Sequence, residues 1–212
     1  MRKLLLVGGG GHCRSVISAL KSGDMEYKEI GIVERGKKAG QEISGIPVVG
    51  EDNDLEQLYS QGYTDAFITL GSIGNPQKRR QLFRKIQEIG FHVPNIIDVS
   101  SMVSEDAKLG EGIFVGKGSV INSCAVVADG CIINTSATIE HDCEIGAFAH
   151  MATGSVLCGD VRIGADTHIG ANATVIQGIC IGKNVIIGAG SVIIRNVEDG
   201  VTIVGNPGRV IS

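Results

Sequence analysis

The segment Ile139-Glu140-His141-Asp142-Cys143 sets an imidazole between two carboxylates. A neutral imidazole takes up a proton near pH 7, and a neighbouring carboxylate fixes its tautomer and stabilises the imidazolium. These three side chains therefore have the make-up of a general base with its orienting acids. By position alone, His141 reads equally well as a solvated surface histidine. A second candidate is Gly8-Gly9-Gly10-Gly11-His12, which follows the apolar run Leu4–Val7. A glycine turn leading from a strand into a helix exposes backbone N–H groups and a helix N-terminus, where a diphosphate can sit. A tight turn without a ligand is the plainer alternative. The third glycine of the dinucleotide fingerprint would fall at Cys13, which disfavours a nicotinamide-dependent oxidoreductase. No Lys-Ser or Lys-Thr pair stands directly after the turn, which excludes a P-loop kinase. Glu34 is placed either to take a ribose hydroxyl or as a solvated charge at a strand end.

These groups need two kinds of frame. Over residues 1–97, short apolar runs alternate with helical patterns. Leu4–Val7 predicts a buried strand, His12–Lys21 an amphipathic helix ended by Gly23, and Glu29–Glu34 a second strand, which together make a βαβ unit. Asp54–Ser60 predicts a helix stopped by Gly62, and Ala66–Leu70 a third strand closing at Gly71. Pro76 in a first turn, Leu82, Ile86 and Ile89 at helical spacing, and Gly90 past the end predict the next helix. The expected fold is α/β, a small Rossmann-like parallel sheet flanked by helices.

From residue 103 an internal repeat of six takes over. An aliphatic residue, once a methionine, stands at every sixth position from Val103 to Ile193 without a gap. Four places later the residue is mostly small, as at Ala125, Cys131, Ala137 and Ser155. A six-residue unit supplies one short strand and one turn. Three units close a triangular coil with the aliphatic side chain at the inner corner, and coils stack at the strand spacing of roughly 4.8 Å. A β-sandwich would alternate by two and need hairpin turns. In this coil His141 lies two places after its corner, in an outward turn. Gly159, one coil above, is expected to leave room for a substrate over the ring. His150 and His168, eighteen apart, fall on one edge, where a metal site can be built.

Composition limits the partners. A net charge of −4 argues against nucleic acid or an anionic membrane as the main partner. Aromatics at 4% and no tryptophan leave no stacking platform for bases. With 31 glycines, only four prolines and no G-X-Y run, the glycines are assigned to turns. Six cysteines without a C-x-x-C pair fit a reducing cytosol, mostly as small buried side chains. The apolar run after Met1-Arg2-Lys3 stops at Gly8, short of a secretory signal, and no stretch reaches the roughly 18 apolar residues of a membrane span.

The hexads, the glycine-rich first turn, Asn134-Thr135-Ser136, Ile139-Glu140-His141-Asp142-Cys143, Phe148-Ala149-His150 and Gly205-Asn206-Pro207 resemble the hexapeptide-repeat acyltransferases of left-handed parallel β-helix fold. More closely, they resemble the sugar acetyltransferases of the NeuD and PglD type, over nearly the whole chain. The resemblance implies a left-handed coil, an exception to the right-handed crossover rule. It implies a nucleotide-sugar-binding domain over 1–97 and an acetyl-CoA-binding, catalytic β-helix over 98–212. The implied activity is acetyl-CoA-dependent N-acetylation of a nucleotide-diphospho amino sugar, a 4-amino-4,6-dideoxy hexose for a bacterial surface glycan. His141 is then the base, with Asp142 and Glu140 holding its tautomer and Asn134 positioning the sugar. By the same resemblance His150 lines the acetyl-CoA pocket and the Gly159 N–H meets the thioester carbonyl. Gly8, Gly10, Gly11, His12 and Glu34 are expected to hold the nucleotide. A cytoplasmic homotrimer without a metal is implied, and a lone β-helix also exposes a flat face for a second copy.

Three other readings stand beside this one. An O-acetyltransferase for sialic acid or a related sugar shares the same residues. A γ-class zinc carbonic anhydrase shares the β-helix, but its histidine pair is five apart, whereas His141 and His150 are nine apart. A nucleotide-sensing module without turnover is the third.

Overall fold

The computed structural model describes residues 2–23, 27–36 and 39–212. The chain forms two compact units, Met1–Gly71 with Gln77–Ile96, and Ser72–Pro76 with Ile97–Ser212.

The first unit is built on β1 (Lys3–Val7), α1 (Gly11–Ser22), β2 (Glu29–Val33), β3 (Glu42–Ile43), β4 (Ile46–Gly50), α2 (Leu55–Ser60), β5 (Asp65–Ile68) and α3 (Gln77–Ile89). The sheet order is β3-β4-β2-β1-β5, parallel except for β3. Leu4, Leu5, Leu6 and Val7 are all fully buried. A strand apolar on both sides belongs inside a sheet covered on both faces, and β1 lies between β2 and β5. Helix α1 buries Cys13, Val16, Ile17 and Leu20, the spacing of one helical face, and ends at Gly23. The expected strands and helices are present with ends shifted by one or two residues. The β3–β4 hairpin is an addition. Its turn is Ser44-Gly45, with φ of 52° and 80°, the geometry of a two-residue hairpin turn. Pro47 demotes the following run as a strand in sequence and so conceals β4. The ends of β1, β2, β4 and β5 bring Gly8, Glu34, Asp52 and Leu70 to one rim of the sheet.

After β6 (Ile96–Ile97), the second unit is a series of two-residue strands from β7 (Met102–Val103) to β22 (Val192–Ile193), each ending on the corner residue of its hexad. From β7 to the strand at Thr174–Val175, each pairs in parallel with the one eighteen residues on, as Thr138 with Val156 and Ile139 with Leu157. Three stacks result, of six, five and eight strands; the largest takes in β6 and, at its other end, β23 (Thr202–Val204) and the antiparallel β24 (Arg209–Val210). The corner residues fill the interior; Val115, Ile139, Leu157 and Val175 are fully buried, each worth about 1.5–3 kcal/mol against exposure. The small residues four places later, such as Ala125, Ala137 and Ser155, are buried as well.

Two turn positions account for the glycines of the repeat other than Gly159. The third residue after a corner has positive φ: 62° at Gly118, 62° at Asp142, 54° at Asn172. Glycine, aspartate and asparagine tolerate that conformation best. The residue directly after a corner approaches the next coil; a Cβ on Gly164 would lie 2.5 Å from the Gly182 carbonyl carbon. Cysteines 13, 131 and 143 are buried as expected, with the Cys143 thiol pushed up to about 11 by burial. Cys124 and Cys180 depart from that expectation. Both are exposed, because one occupies a positive-φ turn and the other an outward strand position.

The outward residues distinguish the three faces. The first carries Met102, Val120, Thr138, Val156, Thr174 and Val192, with no charge. The second carries Lys108, Val126, Glu144, Arg162 and Cys180. The third carries Phe114, Ile132, His150 and His168, all buried. Among the described residues no helix is long and apolar enough to cross a membrane.

Candidate active site

His141 occupies the corner where the chain turns from the first face to the second. Its side chain is 53% exposed, and its Nδ1 donates to Asp142 Oδ2 at 2.8 Å. A carboxylate only accepts, so the proton sits on Nδ1 and Nε2 is left with its lone pair. The local fold makes this pairing. Asp142 stands at the positive-φ position of the hexad, which favours aspartate, directly after the histidine. The hydrogen bond to Asp142 holds the His141 imidazole above the usual histidine range, with smaller contributions from the charges of Glu140 and Asp160.

Two expectations about this corner change. Glu140 is not bonded to the imidazole. Its Oε2 accepts from Asn122 Nδ2 at 3.0 Å, one coil below, so Asp142 alone holds the ring's tautomer. Asn122 is a site residue that the sequence reading missed, although it lies eighteen positions before Glu140, the spacing that stacks residues in this coil. The space above Gly159 is also not vacant. A Cβ there would lie 2.5 Å from His141 Cε1 and 2.6 Å from Nε2, so the imidazole itself leans on the glycine. The Gly159 carbonyl accepts from Gly178 N at 3.0 Å, while its own N–H has no partner among the described residues. Up the same corner follow Cys158, then Ile176 and Ile194, 39% and 41% exposed. Beyond them lies a cavity of about 300 Å³ lined by Ile194, Arg195, Asn196, Arg209 and Val210 among others.

Asn134 and His150 stand elsewhere on the coil. Asn134 follows the third face, at a different corner from His141, and its Nδ2 faces His150 Nε2 at 3.5 Å. The His150 Nδ1–H donates to the Ser72 carbonyl at 2.9 Å, which fixes that tautomer as well. His150 and His168 meet edge to face with ring centres 4.8 Å apart, a ring-packing arrangement and not two nitrogens converging on one ion. Burial holds the His168 imidazole below the usual histidine range, and its Nδ1 is buried without a partner among the described residues. Among the described residues no group of three or more His, Cys, Asp or Glu is gathered as metal ligands.

In the first unit the glycine turn runs from β1 into α1. Gly8 has φ of 113° and Thr69 Oγ1 donates to its carbonyl. The Gly9 N–H donates to Glu34 Oε2, which turns the Glu34 side chain onto the turn. A Cβ on Gly10 or Gly11 would meet nothing within 4 Å, so internal packing does not demand glycine there. The open backbone fits close approach by a ligand. His12 lies in the first turn of α1, partly buried.

A stacked six-residue coil carrying an exposed, carboxylate-bound histidine, preceded by an α/β unit with a glycine turn, defines a hexapeptide-repeat acyltransferase. Residues 3–86 match the PglD N-terminal domain and residues 160–195 match the bacterial transferase hexapeptide (six repeats). PerB from Caulobacter crescentus, solved with CoA and GDP-perosamine, is similar at 35% identity and a TM-score of 0.92, over 100% of this chain and 98% of that one. A histidine-to-asparagine variant of the Caulobacter perosamine N-acetyltransferase matches at 34% identity and a TM-score of 0.93, with the same coverage. The acetyltransferase domain of PglB from Neisseria gonorrhoeae, solved with acetyl coenzyme A, matches at 34% identity and a TM-score of 0.89, over 99% of each chain. The chain belongs to the NeuD/PglD-type family of sugar acetyltransferases, acetyl-CoA-dependent enzymes with a left-handed β-helix.

Proposed function

We propose that this protein transfers the acetyl group of acetyl-CoA to the amino group of a nucleotide-diphospho amino sugar, a 4-amino-4,6-dideoxy hexose destined for a bacterial surface glycan. The observation that carries the reading is His141, with Nδ1 tied to Asp142 and Nε2 unbonded among the described residues. An ammonium cannot attack a thioester, so a base must take its proton. Nε2 takes the ammonium proton, the freed amine attacks the acetyl carbonyl, the proton still in excess on the attacking nitrogen leaves to solvent, and the Gly159 N–H stabilises the oxyanion. Collapse of the tetrahedral intermediate expels the CoA thiolate, which takes the proton back from the imidazolium. Glu140, held by Asn122, adds a negative charge beside the base that suits a cationic amino group better than a hydroxyl. The pantetheine arm would run over the exposed Ile176 and Ile194, with the nucleotide phosphates toward Arg195 and Arg209. Gly8, Gly10, Gly11, His12 and Glu34 would hold the nucleotide sugar. Both co-substrates are metabolites of the cytoplasm, where six unpaired cysteines are also at home. Release of free CoA thiol only when a nucleotide-linked amino sugar is present tests the activity; release indifferent to that sugar would refute it.

The pH dependence follows from the Asp142 bond. The neutral imidazole is the base, so kcat/KM rises with pH through a pKa held above the usual histidine value. Asp142→Asn removes the interaction that favours the imidazolium. The acid limb should then move to lower pH while the plateau falls, and a limb left in place would show that Asp142 does not tune the base.

We further propose a homotrimer. Asn134 and His150 lie at a different corner from His141, so within one chain they cannot share its site. A second copy can bring that edge beside His141, and a head-to-tail contact repeated by rotation closes a ring. The uncharged first face offers the surface. Sedimentation at micromolar concentration should give three times the mass of one chain, and Val156→Glu should break the assembly and its activity together. A fully active monomer would contradict the proposal.

A further inference from the structure

The rim of the N-terminal sheet holds a pocket of about 100 Å³ lined by Gly8, Glu34, Arg35, Asp52, Leu70 and Lys78 among others. Its fixed polar group is Asp52, two residues past β4 and 15% exposed. Asp52 Oδ2 accepts from Lys78 Nζ at 3.0 Å and lies 3.7 Å from Arg35 Nε. The Asp52 carbonyl accepts from Lys85 Nζ at 2.6 Å. The loop around it is tied down too: Glu51 N donates to Asp54 Oδ2 at 2.8 Å, and Gly36 N donates to Glu51 Oε1 at 3.2 Å. Among the described residues nothing donates to Asp52 Oδ1. The result is a carboxylate pinned on one oxygen and open on the other.

In a sheet of this kind, a nucleotide lies across the carboxyl ends of the strands. The diphosphate takes the turn after β1 and the ribose the acid after β2, which leaves the base the crevice beside β4. We propose that this pocket takes the nucleobase of the nucleotide sugar and that Asp52 selects guanine; the inference rests on the nucleotide-sugar reading above. A carboxylate accepts and never donates. Guanine presents two adjacent donors on one edge, N1–H and the exocyclic N2–H. Uracil presents a single N3–H between two carbonyl oxygens, which a carboxylate repels. Adenine presents an acceptor at N1, and cytosine an acceptor at N3 beside its amino group. A rigid acceptor therefore favours guanine and leaves the other bases with repelled or unpaired groups.

Calorimetric titration of the full chain with GDP and with UDP tests the assignment. The wild type should bind GDP at least tenfold more tightly than UDP, a readout independent of any variant. In Asp52→Asn the ratio should collapse, because the amide sets a donor against the guanine donors and gives uracil a partner for a carbonyl. Asp52→Ala should also lose the ratio, without the gain for UDP. A wild type that prefers UDP, or an Asp52→Asn protein with the wild-type ratio, overturns the role of Asp52 and leaves the nucleotide-sugar reading intact. A wild type that binds neither nucleotide overturns both.

Discussion

His141→Asn is expected to lower kcat by about 10²–10⁴-fold, with the affinities for acetyl-CoA and nucleotide sugar near those of the wild type. That range corresponds to about 3–5 kcal/mol of transition-state stabilisation. Asparagine keeps a polar side chain of similar reach and can still meet Asp142. It has no group that accepts a proton near neutral pH, so the loss falls on the step in which the amine is deprotonated. The site tolerates the exchange because the side chain is half exposed and carries no core packing. Steady-state kinetics combined with ligand titrations separates the two quantities. A variant with near wild-type kcat would remove His141 from the mechanism.

Gly159→Ala is the second large effect. The new Cβ would stand 2.5 Å from His141 Cε1 and 2.6 Å from Nε2, closer than such contacts allow, and the ring must swing away. A displacement of about an ångström at a reacting group can cost on the order of 10²-fold in rate. Because the ring is exposed enough to move, the fold absorbs the change, and the melting temperature should shift by only a few degrees. Alanine retains the backbone N–H, so the substitution isolates the placement of the base from stabilisation of the oxyanion. A Gly159→Ala enzyme with unaltered kcat would mean that catalysis does not use the ring where it rests here.

The β-helix was legible in the sequence because its geometry leaves no freedom. An inner corner accepts only an apolar side chain, aliphatic in every hexad but that of Met151, and the chain returns to that corner every six residues, so Val103 to Ile193 trace the coil without a gap. The sequence of His141 and Asp142 was equally plain, since adjacent residues at a turn need no long-range information to meet. Long-range partners were harder. Glu140 belongs to Asn122, a pairing visible only when the eighteen-residue spacing is applied to polar positions as well as aliphatic ones. Gly159 was read as space for a substrate, whereas the imidazole occupies it, because sequence spacing stacks residues without showing which way a ring leans. The separation of Asn134 and His150 from His141 follows from counting faces, and it bears on assembly more than on the single chain. The β3–β4 hairpin was hidden by Pro47, and the docking of Ser72–Pro76 with the second unit by the lack of any period in five residues.

The most direct test of acetyl transfer to an amine with His141 as base uses acetyl-CoA carrying a carbon-13 label at its carbonyl. Wild type and His141→Asn are incubated in parallel with a nucleotide-linked 4-amino sugar, and the products are followed by nuclear magnetic resonance. The expected product is an amide carbonyl bonded to the sugar nitrogen, stable to mild alkali, formed by the wild type and nearly absent with the variant. An alkali-labile ester on a sugar hydroxyl, or amide formed equally fast by the variant, would contradict it.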